Sequence, residues 1–126
     1  MSEAPLSTPD DAWVLARLEA QRADTLDRLG SLRADFDGMV AASVDSNADD
    51  EHDPEGSTIA FERAQVGSLI EQARRQLDDI EDARKKLAAG RYGLCESCGQ
   101  SIAPARLEAR PIARTCIECA AASTSR

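Results

Sequence analysis

The sequence predicts a mainly α fold: a long antiparallel coiled-coil helical hairpin followed by a small module that holds every cysteine. Three observations point to it. Apolar residues recur at a 3–4 spacing in two long stretches, an acidic segment separates those stretches, and Cys95, Cys98, Cys116 and Cys119 lie together behind the second. Aromatic residues are few (Trp13, Phe36, Phe61 and Tyr92), whereas 30% of the 126 residues are charged. That balance suits helices sharing a narrow seam better than a closely filled globule.

Residues 1–8 are expected to be disordered. A helix start follows in "STPDDAW", where Thr8 can cap, Pro9 suits the first helical position, and Asp10 and Asp11 favour the positive helix terminus. The spacing Leu15, Leu18, Arg22, Thr25, Leu29, Leu32, Phe36, Met39 predicts a helix from about residue 9 to 44. Gly30 and Gly38 weaken it locally, each by up to about 1 kcal/mol relative to Ala. Ser57 or Thr58 can cap a second helix, whose seam runs Ile59, Arg63, Val66, Ile70, Ala73, Leu77, Ile80, Arg84, Leu87. Gly90, behind Lys85 and Lys86, suits its C-terminal end near residue 89.

Two such helices fold back on each other, so residues 9–89 form the hairpin and 45–57 its acidic tip loop. The alternative is two arms of a larger bundle completed by dimerisation. Folding back about the loop sets residues whose numbers sum to roughly 101 opposite each other, by the antiparallel geometry of such a pair. Trp13 then falls near Ala88 and Ala89, either packing on the cysteine segment with Tyr92 or remaining exposed. The module spans residues 90–120, and the small polar tail 121–126 is expected to be disordered.

The loop "DSNADDEHDPEG" carries six acidic side chains in Asp45–Gly56 and opens like a calcium-binding loop. Such a loop needs Gly at its sixth position and a bidentate Glu at its twelfth. Asp50 and Gly56 stand there instead, so no specific calcium site is expected. The tip is either a solvated turn or a surface that meets a partner.

Charge narrows the partner. Residues 1–90 hold twenty acidic and ten basic side chains, and residues 91–126 three and five. An acidic body disfavours free DNA or RNA, whose binding rests on neutralising phosphates. No run approaches the roughly 18 apolar residues of a membrane span, and the first residues do not read as a secretory signal. The expected location is the cytoplasm.

The cysteines follow C-x2-C-x17-C-x2-C, a strong zinc pattern. Each pair curls two thiolates toward one centre, and two pairs complete a tetrahedron around one structural zinc ion. Disulfides would need an oxidising compartment, and a redox pair would need only one C-x2-C. Four thiolates leave no open position for water or substrate, and the chain shows no nucleophile–base pair or phosphate loop. No enzyme is expected.

The same segment resembles the DksA/TraR C4-type zinc finger family. The resemblance lies in "RYGLC", in Cys95-Glu96-Ser97-Cys98, in Ile102, in "RLEARP" (Arg106 to Pro111), and in Cys116 and Cys119 at matching intervals. It implies a transcriptional regulator whose coiled coil enters the secondary channel of RNA polymerase, with the tip approaching the catalytic centre. It implies Asp49, Asp50, Asp53 and Glu55 as partner-binding tip residues, and RNA polymerase as the partner of a monomer that binds neither nucleic acid nor membrane directly. Active members are similar in having an Asp-x-x-Asp-x-Ala tip. Here Asp53 starts a register with Gly56 and Thr58 in the later places, while Asp50 starts one with Asp53 and Glu55. The alternative function is a zinc-stabilised protein-interaction module without direct action on transcription.

Overall fold

A computed structural model describes residues 10–47 and 54–124. It contains α1 (Asp11–Asn47), α2 (Pro54–Ala88), α3 (Pro104–Ala109) and α4 (Ile117–Thr124). The two long helices pack as an antiparallel hairpin, and each contributes to both of two compact units. One unit combines the chain up to Arg22 with Asp79–Arg126; the other is Ala23–Asp78.

In the first unit, Val14 and Leu18 of α1 are fully buried against Ile80 and Ala83 of α2, with Leu87, Tyr92 and Ile112 packed on them. The start of α1 therefore uses a different stripe from the one its spacing predicts. Val14 is buried and Gln21 half-buried, while Leu15 is 39% exposed and Arg22 exposed. Val14 and Leu15 both satisfy a helical period, and it is Val14 that joins the cluster of Ile80 and Ala83 on which Leu87, Tyr92 and Ile112 pack. Trp13 stays 38% exposed, with the Arg17 guanidinium 5.0 Å from its ring centroid rather than Tyr92 against it. That arrangement is a cation–π contact at the surface.

Leu18→Ala should cost about 2–5 kcal/mol of unfolding free energy, because its cavity opens inside a filled cluster. Leu15→Ala should stay within about 0.5 kcal/mol. Equal losses in chemical denaturation would show that the Val14–Leu18 stripe is not the seam.

In the second unit all seam positions of α2 from Ile59 to Leu77 are buried or half-buried, as are Thr25, Leu29, Leu32, Phe36 and Met39 of α1. Arg28 Nη2 donates to Gln76 Oε1 at 3.3 Å, and a Cβ on Gly67 would stand 3.9 Å from the Phe36 ring. Both pairs lie within a helical turn of the antiparallel register expected from the sequence.

The long helices run further than expected. α1 continues to Asn47 and α2 begins at Pro54, inside the 45–57 stretch read as a loop. Pro54 suits a first helical position because its missing N–H would have no partner there. The other end of α2 closes in a Schellman arrangement, Gly90 N–H to Leu87 O (3.2 Å) and Arg91 N–H to Lys86 O (2.8 Å). Gly90 has φ +75°, a backbone state that costs glycine little.

The tail expectation needs correction. Ala121 to Thr124 belong to α4 instead of a disordered end. The Cys119 N–H points at the Cys116 sulfur at 3.5 Å, and Ala120 N–H donates to Cys116 O at 2.9 Å. The cysteine loop therefore starts the helix, and three consecutive alanines propagate it. Residues 1–8, read as disordered, lie outside the described residues.

Candidate metal centre

Local backbone geometry brings the four cysteines together. Cys95 N–H donates to Gln100 O (2.8 Å) and Gly99 N–H returns to Cys95 O (2.9 Å), closing a turn around the first pair. Gly99 takes φ +77° to complete it. Leu94 and Ser101 form an isolated antiparallel bridge just outside that turn. The second pair sits at the start of α4, where Glu96 N–H donates to Arg114 O at 2.8 Å and ties the two cysteine loops to each other.

Beneath the sulfurs, Cys95, Ile102 and Leu107 form a small buried cluster, with Tyr92, Ala113, Cys116 and Cys119 packed against it. Tyr92 also touches the Val14–Ile80 cluster, so one ring joins the hairpin base to the cysteine module. Its hydroxyl donates to Pro111 O at 2.8 Å. Desolvation raises the Tyr92 pKa against a smaller lowering by Arg17, so the hydroxyl keeps the proton it donates. Arg106 Nε donates to Thr115 O at 2.9 Å and holds the strand of chain leading into Cys116. Gly93, at φ +88°, would place a Cβ 3.3 Å from Leu107 Cδ1. Gly93→Ala therefore combines backbone strain with a tight contact on Leu107 and should destabilise the module by about 1–3 kcal/mol; an unchanged melting temperature of the zinc-loaded protein would contradict this.

The four Sγ atoms all lie within 4.8 Å of one another, and Cys98 and Cys116 Sγ are 4.0 Å apart. Tetrahedral zinc with bonds of about 2.3 Å places its sulfurs roughly 3.8 Å apart. The donor set also fits a dication electrostatically. Burial opposes ionisation of Cys95, but the backbone N–H groups of Cys116, Cys98 and Ser97 outweigh it and lower its pKa to about 6. Cys119 is pushed up to about 12 by Cys116, Cys95 and Cys98 crowding around it. Cys98 is also raised: the Gln100 N–H favours its thiolate, but desolvation and its neighbours Cys95 and Cys116 prevail. Four sulfurs so close cannot all carry charge by themselves, and a divalent ion removes that conflict. With all four positions filled by protein, the ion's work is structural.

Of the expected tip residues, Asp49, Asp50 and Asp53 lie outside the described residues. Glu55 falls in the first turn of α2. The sequence reading missed the charged side chains around the cysteine loops: Asp79, Asp82, Lys86, Glu96 and Arg114. The spacing of Asp79, Asp82 and Lys86 along one helix face was the available signal.

Residues 90–124 match the family model of the prokaryotic dksA/traR C4-type zinc finger. General stress protein 16O of Bacillus subtilis (strain 168) is 37% identical over 73 residues, which cover 58% of this chain and 45% of that protein. RNA polymerase-binding transcription factor DksA of Escherichia coli (strain K12) is 45% identical over 49 residues, 39% of this chain and 32% of that protein. The matches thus span less than half the length of these curated relatives. The solved structure of transcription factor DksA2 from Pseudomonas aeruginosa is similar at 29% identity and a TM-score of 0.52, covering 96% of this chain and 94% of that one. No described helix is long and apolar enough to cross a membrane. The cysteine cluster and these matches assign one zinc ion to the site, and residues 90–124 carry the prokaryotic dksA/traR C4-type zinc finger.

Proposed function

We propose that this chain is a transcriptional regulator that binds RNA polymerase, entering the secondary channel with its acidic hairpin tip while zinc held by Cys95, Cys98, Cys116 and Cys119 keeps the base in shape. The observation that carries this reading is where the charge sits. Ala23–Asp78 holds thirteen acidic and five basic side chains, the whole net charge of −8. The remainder of the chain holds ten of each. A slender acidic helical pair suits a narrow opening lined by basic groups or metal ions, and is repelled by the phosphates of nucleic acid.

Asp49, Asp50, Asp53 and Glu55 would act at the tip as carboxylates directed at those cations. The protein works as a monomer in the cytoplasm, without a membrane or direct DNA contact, and catalyses no reaction of its own. Two of the similar proteins are named as transcription factors, one of them as RNA polymerase-binding, which supports the reading.

Co-purification with RNA polymerase tests it. The zinc-loaded chain should be retained by the polymerase at low salt, and retention should fall as salt rises, because screening shortens the reach of exposed charges to about 8 Å at physiological ionic strength. A folded, zinc-loaded chain that shows no association under either condition would leave the interaction-module reading in its place.

A further inference from the structure

Four charged side chains of the zinc-bearing unit, Arg114, Glu96, Lys86 and Asp82, close into a ring, and Asp79 joins it through Arg114. Arg114 Nη2 donates to Asp79 Oδ1 at 2.7 Å and lies 3.7 Å from Asp82 Oδ2; its Nη1 lies 3.7 Å from Glu96 Oε2. Lys86 Nζ pairs with the same Glu96 oxygen and stands 3.3 Å from Asp82 Oδ2. Asp79, Asp82 and Lys86 share one face of α2 at the i, i+3, i+7 positions. Glu96 sits between the ligand positions Cys95 and Cys98, and Arg114 precedes Cys116 by two residues. The ring therefore has one side on the hairpin helix and the other on both cysteine loops.

Isolated exposed ion pairs contribute little, whereas several charges sharing partners contribute more. These side chains are between 20% and 42% exposed, so their pairing is screened only in part. The balance of signs also matters. Three carboxylates face two cations, and losing Arg114 would leave Asp79, Asp82 and Glu96 against Lys86 alone. Glu96 and Arg114 reach this geometry only when the Cys95–Cys98 turn and the approach to Cys116 are both in place, since Glu96 N–H donates to Arg114 O across them.

We propose that this ring couples occupancy of the zinc site to the C-terminal end of α2. Zinc orders the two cysteine loops and completes the ring; the ring, in turn, raises the affinity for zinc and fixes the module on the helix. The coupling must be reciprocal, because it is a difference in free energy between the same states. It rests on the assignment of zinc to the four cysteines and is independent of the polymerase reading.

Zinc affinity of the full-length protein, measured by competition with a chromophoric chelator, tests the coupling. Arg114→Met keeps the aliphatic stem and should weaken zinc binding about three- to tenfold, with a smaller loss for Asp79→Asn. The double variant should lose less than the product of the two, because Asn removes one of the carboxylates that Arg114 had neutralised. About 1 M salt, where screening acts over roughly 3 Å, should narrow the gap to the unaltered protein. Glu81→Gln is the control: Glu81 pairs with Arg84 on α2, outside the ring, and its loss should leave zinc affinity unchanged. Should Arg114→Met fail to fold, Lys86→Met carries the same test from the other side of the ring. Unchanged affinity in Arg114→Met, independent effects of the two substitutions, or an equal loss in Glu81→Gln would each overturn the proposal.

Discussion

Cys98→Ser should abolish stoichiometric zinc binding and unfold residues 90–124 while leaving most helix content in place. Cys98 is exposed, so the substitution removes a ligand without opening a cavity, unlike a change at buried Cys95. The module has little else to hold it. Ile102, Leu107 and Pro111 are its deeply buried side chains, each contributing about 1.5–3 kcal/mol at most. A structural zinc supplies on the order of 10–16 kcal/mol in comparable small domains. Elemental analysis should fall from one zinc per chain to well below it, and amide exchange over residues 90–124 should become fast. Helix content should fall only modestly, because Ala23–Asp78 contains none of the ligands. Full zinc content, or slow exchange throughout the variant's module, would contradict a four-sulfur site.

Acid should act in the same direction. Zinc binds thiolates, so protons compete with it and affinity falls as pH falls. Cys98 and Cys119, both raised, give up protons to zinc at neutral pH. The backbone N–H groups that lower Cys95 to about 6 are in place only in the folded module, so when zinc leaves and the module unfolds Cys95 takes up a proton as well. Chelator competition between about pH 8 and 6 should show affinity falling by more than one proton per zinc bound, and a flat profile would contradict thiolate ligation.

These properties were legible in the sequence to different degrees. The zinc site was readable because C-x2-C pairs encode geometry locally, and every seam position of α2 lies at a buried or half-buried place. Helix α1 was read one residue off at its start. Two candidate stripes existed there, and only the tertiary neighbours Ile80, Tyr92 and Ile112 select Val14 over Leu15. The end of the chain was misread for a related reason. "AASTSR" has a disordered composition, but the sulfur of Cys116 supplies a helix start that composition does not reveal. The Arg114 ring was hidden most completely. Its members are up to 35 residues apart, and no local rule pairs Asp79 with Arg114.

Replacing Asp49, Asp50 and Asp53 by Asn should remove most of the effect on transcription, a loss of about tenfold or more, while zinc content and helicity stay unchanged. The change takes the net charge from −8 to −5 by altering three residues at one place. Electrostatic attraction to cations acts over about a Debye length, so carboxylates nearest the partner's charged groups carry most of the coupling. A second variant separates position from charge. Asp24, Asp27 and Asp35 are exposed on α1, and converting them to Asn produces the same net charge away from the tip. If the tip is the working end, this variant keeps its effect in a transcription assay while the tip variant loses it. Equal losses would make the acidic body as a whole the recognition element, and full activity of the tip variant would sink the tip assignment. The nonstandard order of residues around Asp50 and Asp53 adds one further distinction. Glu55→Ala should matter if Asp50 begins the working register, because Glu55 then occupies its last place, and should be nearly silent if Asp53 begins it.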